Sequence, residues 1–485
     1  MGEVLSELEI GIPHRLAVGR GSAFALGGWA FDAEARTRRL DLEVGGERRP
    51  ADLFRLPRAD VFERHGADSP GAAQAFRSGF VTVAAVPPVA RAGALPVRVV
   101  LTLAGGREET VELGELAAEP RVPVPAEAEA ARFPEAAGPR VAICMATYEP
   151  PPALLHRQLD SLRAQTHRNW VCAISDDGSS AEALAELRRQ VEGDPRFVLS
   201  PGGERRGFYG NFERALAMAP EGADYVALCD QDDLWRPEKI ERLLEAIGGA
   251  NLVYSDARLV DTRGGVISPS YWTTRRNNHT NFASLLLANS VTGAASLFRR
   301  QLLDDVLPFP PALADPFHDH WIAVVAMALG EIAYVSEPLY DYTQHGGAVI
   351  GHDVANRKPR AVRRHLMERL RNPGDGSRVA YYYGWQQQLV SARVLRARCW
   401  ERMGRRRRAA LVRVMSADDR VTGVPWLLAR RARRLWGRNE TLDRELFYAY
   451  ALGRRRAMSL LNAGRDRPGR LLPRDAAIPS DGGRG

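Results

Sequence analysis

Three carboxylates stand within four residues, at Asp230, Asp232 and Asp233, directly after the apolar run 225–229. A short apolar run of this kind is typical of a buried strand. Crowded like charges repel one another, and the repulsion is relieved where a hard divalent cation binds together with a phosphate-bearing ligand. The segment therefore predicts a metal-assisted phosphate site at a strand end. The alternative is a solvated loop that is rich in aspartate.

Two earlier apolar runs also end in polar residues. Residues 141–146 lead to Thr147, Tyr148 and Glu149, and residues 170–175 lead to Asp176 and Asp177. Segments with helical spacing lie between the runs, and repeated crossovers of this length predict a parallel sheet. Ligands of such sheets bind beyond the carboxyl ends of the strands. We therefore expect three strand ends to converge on one ligand.

Motifs distributed from about residue 141 to residue 352 carry a resemblance to a known family. The segment resembles the inverting glycosyltransferase family two with the GT-A fold, especially rhamnosyltransferase-like members that build bacterial surface polysaccharides. Any one motif is weak, whereas their shared order and spacing are specific. In chain order, they are Ala146-Thr147-Tyr148-Glu149, Asp176-Asp177-Gly178-Ser179, Gly207-Phe208-Tyr209-Gly210-Asn211-Phe212, Asp230-Gln231-Asp232-Asp233-Leu234-Trp235, Asn289-Ser290-Val291-Thr292-Gly293, His318-Asp319-His320-Trp321 and Gln344-His345-Gly346.

The resemblance implies a nucleotide-sugar donor. Asp176 or Asp177 would contact the nucleobase or ribose, whose N–H and O–H groups are donors that suit a carboxylate. The alternative for this pair is a helix cap followed by an Asx turn. Arg205 or Arg206 would reach the diphosphate. The donor-binding residues implied are Thr147, Tyr148, Glu149, Asp176, Asp177, Arg206, Gly207, Asn211, Asp230, Gln231 and Gly293.

The same resemblance implies a metal cofactor, Mg²⁺ or Mn²⁺. Asp232 would be the direct ligand, and Asp230 would contact the ribose or the sugar. The cation would bridge the two phosphates and stabilise the nucleoside diphosphate as it leaves. His345 would complete the coordination and favour Mn²⁺. The alternative for His345 is a polar residue on a loop after the last strand.

Asp319 is implied as the catalytic base, because an inverting mechanism needs one group to deprotonate the acceptor hydroxyl. It precedes an apolar run and so stands at a predicted helix start, where the helix dipole favours the ionised carboxylate. The alternative is that Asp319 only caps that helix. His318 stands where many relatives carry an acid, so the sequence leaves the hydrogen-bond partner of Asp319 open.

The 485 residues, of which 45% are apolar, suffice for several regions with their own cores. Residues 1–125 show short alternating runs separated by glycine turns, which predict an accessory β-sandwich. Phrases around Trp29 resemble accessory modules beside bacterial glycosyltransferases, although a tryptophan here is more often core than a sugar platform. We expect a linker over 126–139, a GT-A catalytic domain over 140–354 and a basic amphipathic helical region over 355–485.

Charge is concentrated in the last of these regions. Residues 355–485 hold 32 Lys and Arg against 11 Asp and Glu, a net charge of +21 in a chain whose net charge is +8. Arginine clusters alternating with apolar residues suit an anionic membrane surface. The alternatives are a solvated basic bundle and RNA, but no recognition motif accompanies the arginines, so no nucleic acid is expected.

The chain shows neither a transmembrane run nor an export signal, and its four cysteines form no metal or disulfide pattern. We expect a cytoplasmic protein, peripheral at the inner face of the plasma membrane. The predicted function is metal-dependent, inverting transfer of a sugar to a hydroxyl of a cell-surface polysaccharide or lipid-linked glycan, with rhamnose suggested only by the resemblance. The alternatives are a non-catalytic carbohydrate-binding or scaffold protein of the same fold and a nucleotidyltransferase. A dinucleotide oxidoreductase is discounted, because no G-x-G-x-x-G follows the first strand.

Overall fold

The structure is a computed structural model that describes residues 3–65, 71–272, 277–314, 316–344, 379–432 and 444–467. The first part of the chain is built from strands and two short helices. In chain order these are β1 (Val4–Ile10), β2 (Arg15–Ala17), β3 (Ser22–Asp32), β4 (Thr37–Val44), β5 (Glu47–Pro50), β6 (Leu53–Leu56), α1 (Ala59–Arg64), α2 (Ala72–Phe76), β7 (Gly79–Val86), β8 (Gly93–Leu103) and β9 (Glu108–Glu119).

These strands form two sheets, one in the order β1-β3-β7-β6 and the other in the order β2-β9-β8-β4-β5. The pairing is antiparallel except between β2 and β9. Inward-facing residues of both sheets, including Phe24, Phe80 and Leu101, share one hydrophobic core, since alternate residues of each strand point to the same face. Trp29 is only 5% exposed and packs against Phe31, so it belongs to the interior and offers no open face to a sugar.

Alternating strands and helices make up the middle of the chain. In order, they are β10 (Val141–Thr147), α3 (Pro152–Arg163), β11 (Trp170–Asp176), α4 (Ala181–Val191), β12 (Phe197–Pro201), α5 (Gly207–Ala217), β13 (Tyr225–Cys229), β14 (Leu234–Trp235), α6 (Lys239–Ile247), β15 (Leu252–Asp261), β16 (Val266–Ser268), α7 (Phe282–Leu285), β17 (Ser296–Arg299), α8 (Leu303–Val306), α9 (His318–Leu329) and β18 (Ile332–Gln344).

The central sheet has the order β12-β11-β10-β13-β17-β15-β18-β14, with β16 beside β15. Its first four strands are parallel, as the crossovers predict, and β17 enters antiparallel beside β13. Strands β10 and β11 are apolar along most of their length because helices cover both faces of the sheet. Thr147 pairs with Asp176, so the carboxyl ends of these two strands are level.

The predicted linker over 126–139 is packed against its neighbours where it begins. A single 3₁₀ turn spans Ala126–Ala130, and Ala131 is buried against Ala173, Val198 and Met218. Glu127 accepts a hydrogen bond of 2.8 Å from the hydroxyl of Ser200. The start of this segment therefore fixes the edge of the central sheet as well as connecting two regions.

The last part of the chain is helical. A π-helical stretch over Val379–Trp385 leads into α10 (Gln386–Cys399), a 3₁₀ turn over Trp400–Arg402, α11 (Arg405–Met415), α12 (Gly423–Ala432) and α13 (Arg444–Leu461). None of the described helices is both long enough and apolar enough to span a bilayer.

Part of the apolar face of these helices packs against the rest of the chain, and the predicted membrane association stays a prediction. Leu411, Leu427 and Tyr448 are buried and belong to the same hydrophobic cluster as the central sheet. Leu435 and Trp436, two apolar residues among the arginines of the basic region, lie outside the described residues. The pattern identified an apolar face correctly, but a pattern does not say what covers that face.

Candidate functional site

Asp176 closes a turn after β11. Its carboxylate accepts hydrogen bonds from the Thr147 hydroxyl (3.0 Å), the Ser179 hydroxyl (2.6 Å) and the Ser179 amide (2.9 Å), and the residue is 1% exposed. The helix that follows is capped by Ser180, whose hydroxyl accepts from the amide of Ala183 at 3.3 Å. These contacts show that the Asp176 carboxylate closes a local turn, and its predicted contact to the donor stays a prediction.

Asp177 connects this turn to the start of α5. Its carboxylate accepts a hydrogen bond of 2.7 Å from the amide of Arg206, and the residue is 4% exposed. Burial raises the pKa of Asp177 above its ordinary value, although the amides of Arg206 and Gly207 oppose that rise. Gly207 has φ +68°, which a glycine adopts without strain. Asp177 thus orders the glycine-bearing loop, whose Arg206 side chain is exposed.

Asn211 lies on α5 and is buried between two strands. Its Nδ2 donates to the carbonyl oxygens of Thr147 (3.1 Å) and Ser175 (2.9 Å), and its Oδ1 accepts from the Ser175 hydroxyl (2.6 Å). These bonds satisfy both N–H donors of the side chain. The contacts of Asn211 therefore indicate a residue that holds the ends of β10 and β11, rather than one directed at the donor.

Tyr148 and Gln231 tie the end of β10 to the acidic loop. The amide of Tyr148 donates to Gln231 Oε1 (2.8 Å), and Gln231 Nε2 donates to the Tyr148 carbonyl (3.1 Å). The Tyr148 ring is accessible, and the Arg205 guanidinium lies 4.0 Å from its centroid. Glu149, at φ +41°, accepts from the Ser180 amide at 2.5 Å. The accessible Tyr148 ring and the Arg205 guanidinium thus lie at the end of β10, where donor binding is predicted.

The acidic loop after β13 divides into an inner and an outer part. Asp233 is fully buried and accepts a hydrogen bond of 3.1 Å from the amide of Thr343, while its Oδ2 is buried without a partner among the described residues. Asp230 is half-buried, and its pKa is raised to about 7, first by burial and then by the charges of Asp232 and Asp319. Asp230, Asp232 and Asp319 therefore share one electrostatic environment.

The donor set at this loop fits Mg²⁺ or Mn²⁺. Carboxylate oxygens are the ligands these ions prefer, and Mg²⁺ is held by one or two carboxylates together with water and substrate phosphates. A cation at Asp232 also relieves the repulsion that raises the pKa of Asp230. Among the described residues no group of three or more His, Cys, Asp or Glu is placed to hold a metal. The predicted ligand His345 lies outside the described residues.

Asp319 lies in the first turn of α9. Its carboxylate accepts hydrogen bonds from the amides of His320 (2.6 Å) and Gly293 (3.1 Å). Burial nevertheless raises the pKa of Asp319 to about 7. This corrects the expectation that the helix dipole holds the group ionised, since desolvation outweighs the dipole. A carboxyl group near the midpoint of its titration at neutral pH suits general base catalysis.

The hydrogen-bond partner of Asp319 that the sequence left open is the backbone of Gly293. A Cβ atom at Gly293 would stand 2.9 Å from Nε2 of His318, so only glycine fits this approach. His318 stacks on Phe212 with ring centroids 3.7 Å apart, and burial lowers its pKa to about 3. The residue that replaces the acid of many relatives is therefore neutral, and it fills space beside Asp319.

Two basic residues near the acids were missed by the sequence analysis. Lys239 is fully buried over the ring of Trp235, and its ammonium donates to the carbonyl of Ala294, next to Gly293. Burial lowers its pKa to about 7. Its spacing from Leu243 and Ile247, one and two turns along α6, places it on the buried face and was a readable signal.

Arg157 of α3 is the second of these residues. Its Nη2 donates to the carbonyl oxygen of Asp232 at 3.2 Å and to the hydroxyl of Thr343 at 2.6 Å. The contact joins the acidic loop to the end of β18, across a long stretch of chain. Local sequence carries no signal of such a contact.

The part of the chain that contains the strand ends and the acidic loop matches a known protein family. The family model described as "Glycosyl transferase family 2" matches residues 142–307, the stretch from β10 to α8 that contains the strand ends and the acidic loop. Residues 142–307 belong to glycosyl transferase family 2. The family 2 domain carries the GT-A type α/β fold that the motifs predict.

Individual relatives match stretches of different lengths. An uncharacterized glycosyltransferase of Nostoc sp., alr2836, is 28% identical over 205 residues, which are 40% of this chain and 61% of the relative. The succinoglycan biosynthesis protein ExoW of Rhizobium meliloti is 29% identical over 104 residues, which are 21% of this chain and 32% of ExoW. The chain thus spans less than two thirds of the length of either relative.

A solved structure with a similar arrangement is that of S. aureus TarS 1–349 in complex with UDP-GlcNAc. It is 16% identical to this chain and has a TM-score of 0.37, with 66% of this chain and 92% of TarS 1–349 covered.

Proposed function

We propose that the protein is a metal-dependent, inverting glycosyltransferase that moves a sugar from a nucleoside diphosphate to a hydroxyl of a glycan. The observation that supports this most directly is the position of Asp230, whose pKa is raised first by burial and then by the charges of Asp232 and Asp319. This interaction supports a shared site for the acids of the predicted metal site and the predicted base. The family 2 match covers the acidic loop and ends at residue 307, before Asp319, and it agrees with this reaction.

Each group has a defined task in the proposed reaction. Asp232, with Asp230 beside it, would hold Mg²⁺ or Mn²⁺, which supplies charge stabilisation to the departing diphosphate. Asp319 accepts the proton of the acceptor hydroxyl, while the amides of Gly293 and His320 hold its carboxylate in place. The residues from Thr147 to Glu149, with Asp177 and the loop at Gly207, would form the donor pocket.

The acceptor class proposed is a growing surface polysaccharide or a lipid-linked glycan. Support comes from the motif resemblance and from the relative named for succinoglycan biosynthesis. Rhamnose is proposed as the donor sugar on the motif resemblance alone.

The deciding experiment incubates the purified protein with a panel of nucleotide sugars and measures release of nucleoside diphosphate with and without EDTA. We expect release from one class of donor, its loss in EDTA and its recovery with Mn²⁺ or Mg²⁺. Release that is indifferent to EDTA contradicts the role of Asp232. Release of pyrophosphate in a parallel assay with a nucleoside triphosphate and a sugar 1-phosphate identifies a nucleotidyltransferase, and sugar binding without release of either product identifies a carbohydrate-binding protein.

Association with an anionic membrane surface is the second part of the proposal. The described residues that support it are Val421, Leu460 and Leu461, which are exposed apolar side chains. Arg456 links the two positions: its guanidinium donates to the Val421 carbonyl at 3.2 Å, and it lies one helical turn before Leu460. Exposed apolar residues beside arginine suit an interface with anionic lipid.

Flotation with vesicles that contain an anionic lipid tests this surface. Deleting residues 355–485 would strip the hydrophobic core, so the informative variant is Leu460→Glu with Leu461→Glu. We expect the wild type to float and this variant to remain at the bottom of the gradient. The matched control is Val266→Glu with Ile267→Glu, an exposed apolar pair on β16. Equal flotation of all three proteins argues against the membrane surface.

A further inference from the structure

A cavity of about 360 Å³ lies beside Asp319. Its walls include Tyr271 and Trp272, which follow β16, and Gln388 and Ser391 on α10. Asp319 is among the described residues that line it, whereas neither Asp230 nor Asp232 is. The cavity therefore reaches the predicted base without including Asp230 or Asp232.

The lining has the chemistry of a saccharide site. Aromatic side chains present flat apolar faces, on which the C–H faces of a pyranose ring can stack. Hydroxyl and amide side chains supply both donors and acceptors, which sugar hydroxyl groups require. The volume of about 360 Å³ falls at the lower end of the range for small-molecule sites, so it suits one or two sugar units.

The wall that α10 contributes is held in a fixed position. Gln387 Oε1 accepts from the amide of Leu313 at 2.6 Å, and Gln387 Nε2 donates to the carbonyl of Pro311 at 3.2 Å. These bonds anchor α10 to the chain segment just before α9, and hence close to Asp319. Gln388 hydrogen-bonds with Tyr448 of α13, which also lines the cavity. The cavity wall therefore extends well beyond the family 2 match.

We propose that this cavity binds the terminal sugar of the acceptor, and that α10 and α13 supply part of its specificity. The inference rests on the proposed function and names the substrate class of its second site. In the transfer step, the acceptor hydroxyl gives its proton to Asp319, and its oxygen forms a bond to the anomeric carbon. The bond from that carbon to the phosphate oxygen breaks, and the nucleoside diphosphate leaves with the electron pair.

The test uses two variants of the cavity in the full-length chain. Trp272→Ala removes a stacking face, and Ser391→Trp fills the cavity. The matched control is Arg396→Trp, which places the same side chain at an exposed position of α10. Trp272→Phe is the conservative rescue, because it keeps an aromatic face. Thermal unfolding of each variant checks that it is folded.

Two readouts separate the inference from the proposed function. The first concerns the donor site: slow hydrolysis of the nucleotide sugar by water in the wild type, and binding of the nucleoside diphosphate with Mn²⁺ in the wild type and every variant. The second is the binding of a panel of methyl hexosides and methyl 6-deoxyhexosides, which ligand-observed NMR measures. We expect unchanged binding of the nucleoside diphosphate in every variant. We expect glycoside binding to weaken about 5- to 10-fold in Trp272→Ala, to vanish in Ser391→Trp, and to persist in Trp272→Phe and Arg396→Trp.

Each other outcome is decisive. A wild type that hydrolyses a donor but binds no glycoside overturns the inference and leaves the proposed function standing. The same holds if Ser391→Trp, correctly folded, binds glycosides as the wild type does. Absence of any donor turnover in the wild type counts against the proposed function itself. If the wild type turns over no donor, yet Trp272→Ala and Ser391→Trp still weaken glycoside binding, the cavity binds saccharides in a protein that does not transfer them.

Discussion

The protonation state of Asp319 decides when the proposed base can act. Because burial raises the pKa of Asp319 to about 7, part of the protein carries a protonated, inactive carboxyl group at neutral pH. We expect kcat/KM to rise with pH and to level off above about pH 7, and a bound cation to move the inflection downward. Asp319→Asn should bind donor normally and lose transfer by about 10²-fold or more. A rate that falls as the pH rises through this range contradicts the assignment.

The same carboxyl group predicts a stability effect with a defined sign. The folded-state pKa of about 7 lies above the ordinary value of 3.8, so the folded protein binds this proton more tightly than the unfolded chain does. Stability from this group is therefore full below about pH 4 and is lost as the pH rises to about 7, by at most roughly 4 kcal/mol. Metal-free Asp319→Asn should gain stability over the wild type at pH 8 and not at pH 4. Urea unfolding at both pH values measures this, and equal differences would exclude the raised pKa.

At the scale of elements, the site depends on a close approach between the Gly293–Ala295 turn and the start of α9. Gly293→Ala puts a methyl group 2.9 Å from His318 Nε2, so the turn or the histidine must shift. We expect a loss of about 1–3 kcal/mol in the free energy of unfolding. Donor hydrolysis should fall as well, because the amide that holds the Asp319 carboxylate moves with the turn. Gly249→Ala, which meets no atom within 4 Å, is the control. Full activity of Gly293→Ala would show that the approach is dispensable.

The elements that carry the site could be predicted from the sequence, whereas several contacts between them could not. Continuous apolar runs identified β10, β11 and β13, and the rule for parallel sheets placed their polar ends together. The same patterns could not show that Asn211 is bonded to Thr147 and Ser175, because those partners are distant in the chain. Nor could they show that burial outweighs the helix dipole at Asp319, since desolvation is a property of the assembled site.

At the scale of the whole molecule, the surprise is where the basic region packs. Composition predicted helices with an apolar face, and the structure places that face against the central sheet and the sandwich. Arg393 of α10, for example, pairs with Asp52 between β5 and β6. Arginine content alone could not distinguish helices that pack against the sheets from helices that bind a membrane, because each kind of helix has one apolar face.

Arg398 of α10 joins three parts of the chain and gives the last prediction. It is 6% exposed, and its guanidinium donates to the carbonyl oxygens of Gly21 (2.7 Å), Asp305 (3.0 Å) and Pro308 (2.6 Å). Burial lowers its pKa to about 10, so it stays charged at neutral pH. Arg398→Met leaves these buried carbonyls without a donor, at about 1–3 kcal/mol each, so we expect a total loss of at least about 3 kcal/mol.

The pattern of unfolding distinguishes a junction from a local contact. In Arg398→Met, hydrogen exchange should speed up together in β3, in the segment 303–309 and in α10, because all three depend on one guanidinium. Arg396→Met, two residues away and exposed over Trp400, should change stability by less than about 0.5 kcal/mol. Faster exchange confined to α10 would mean that the N-terminal sheets and the central sheet hold together without this arginine. Faster exchange in all three makes the C-terminal helices part of the scaffold that positions the site.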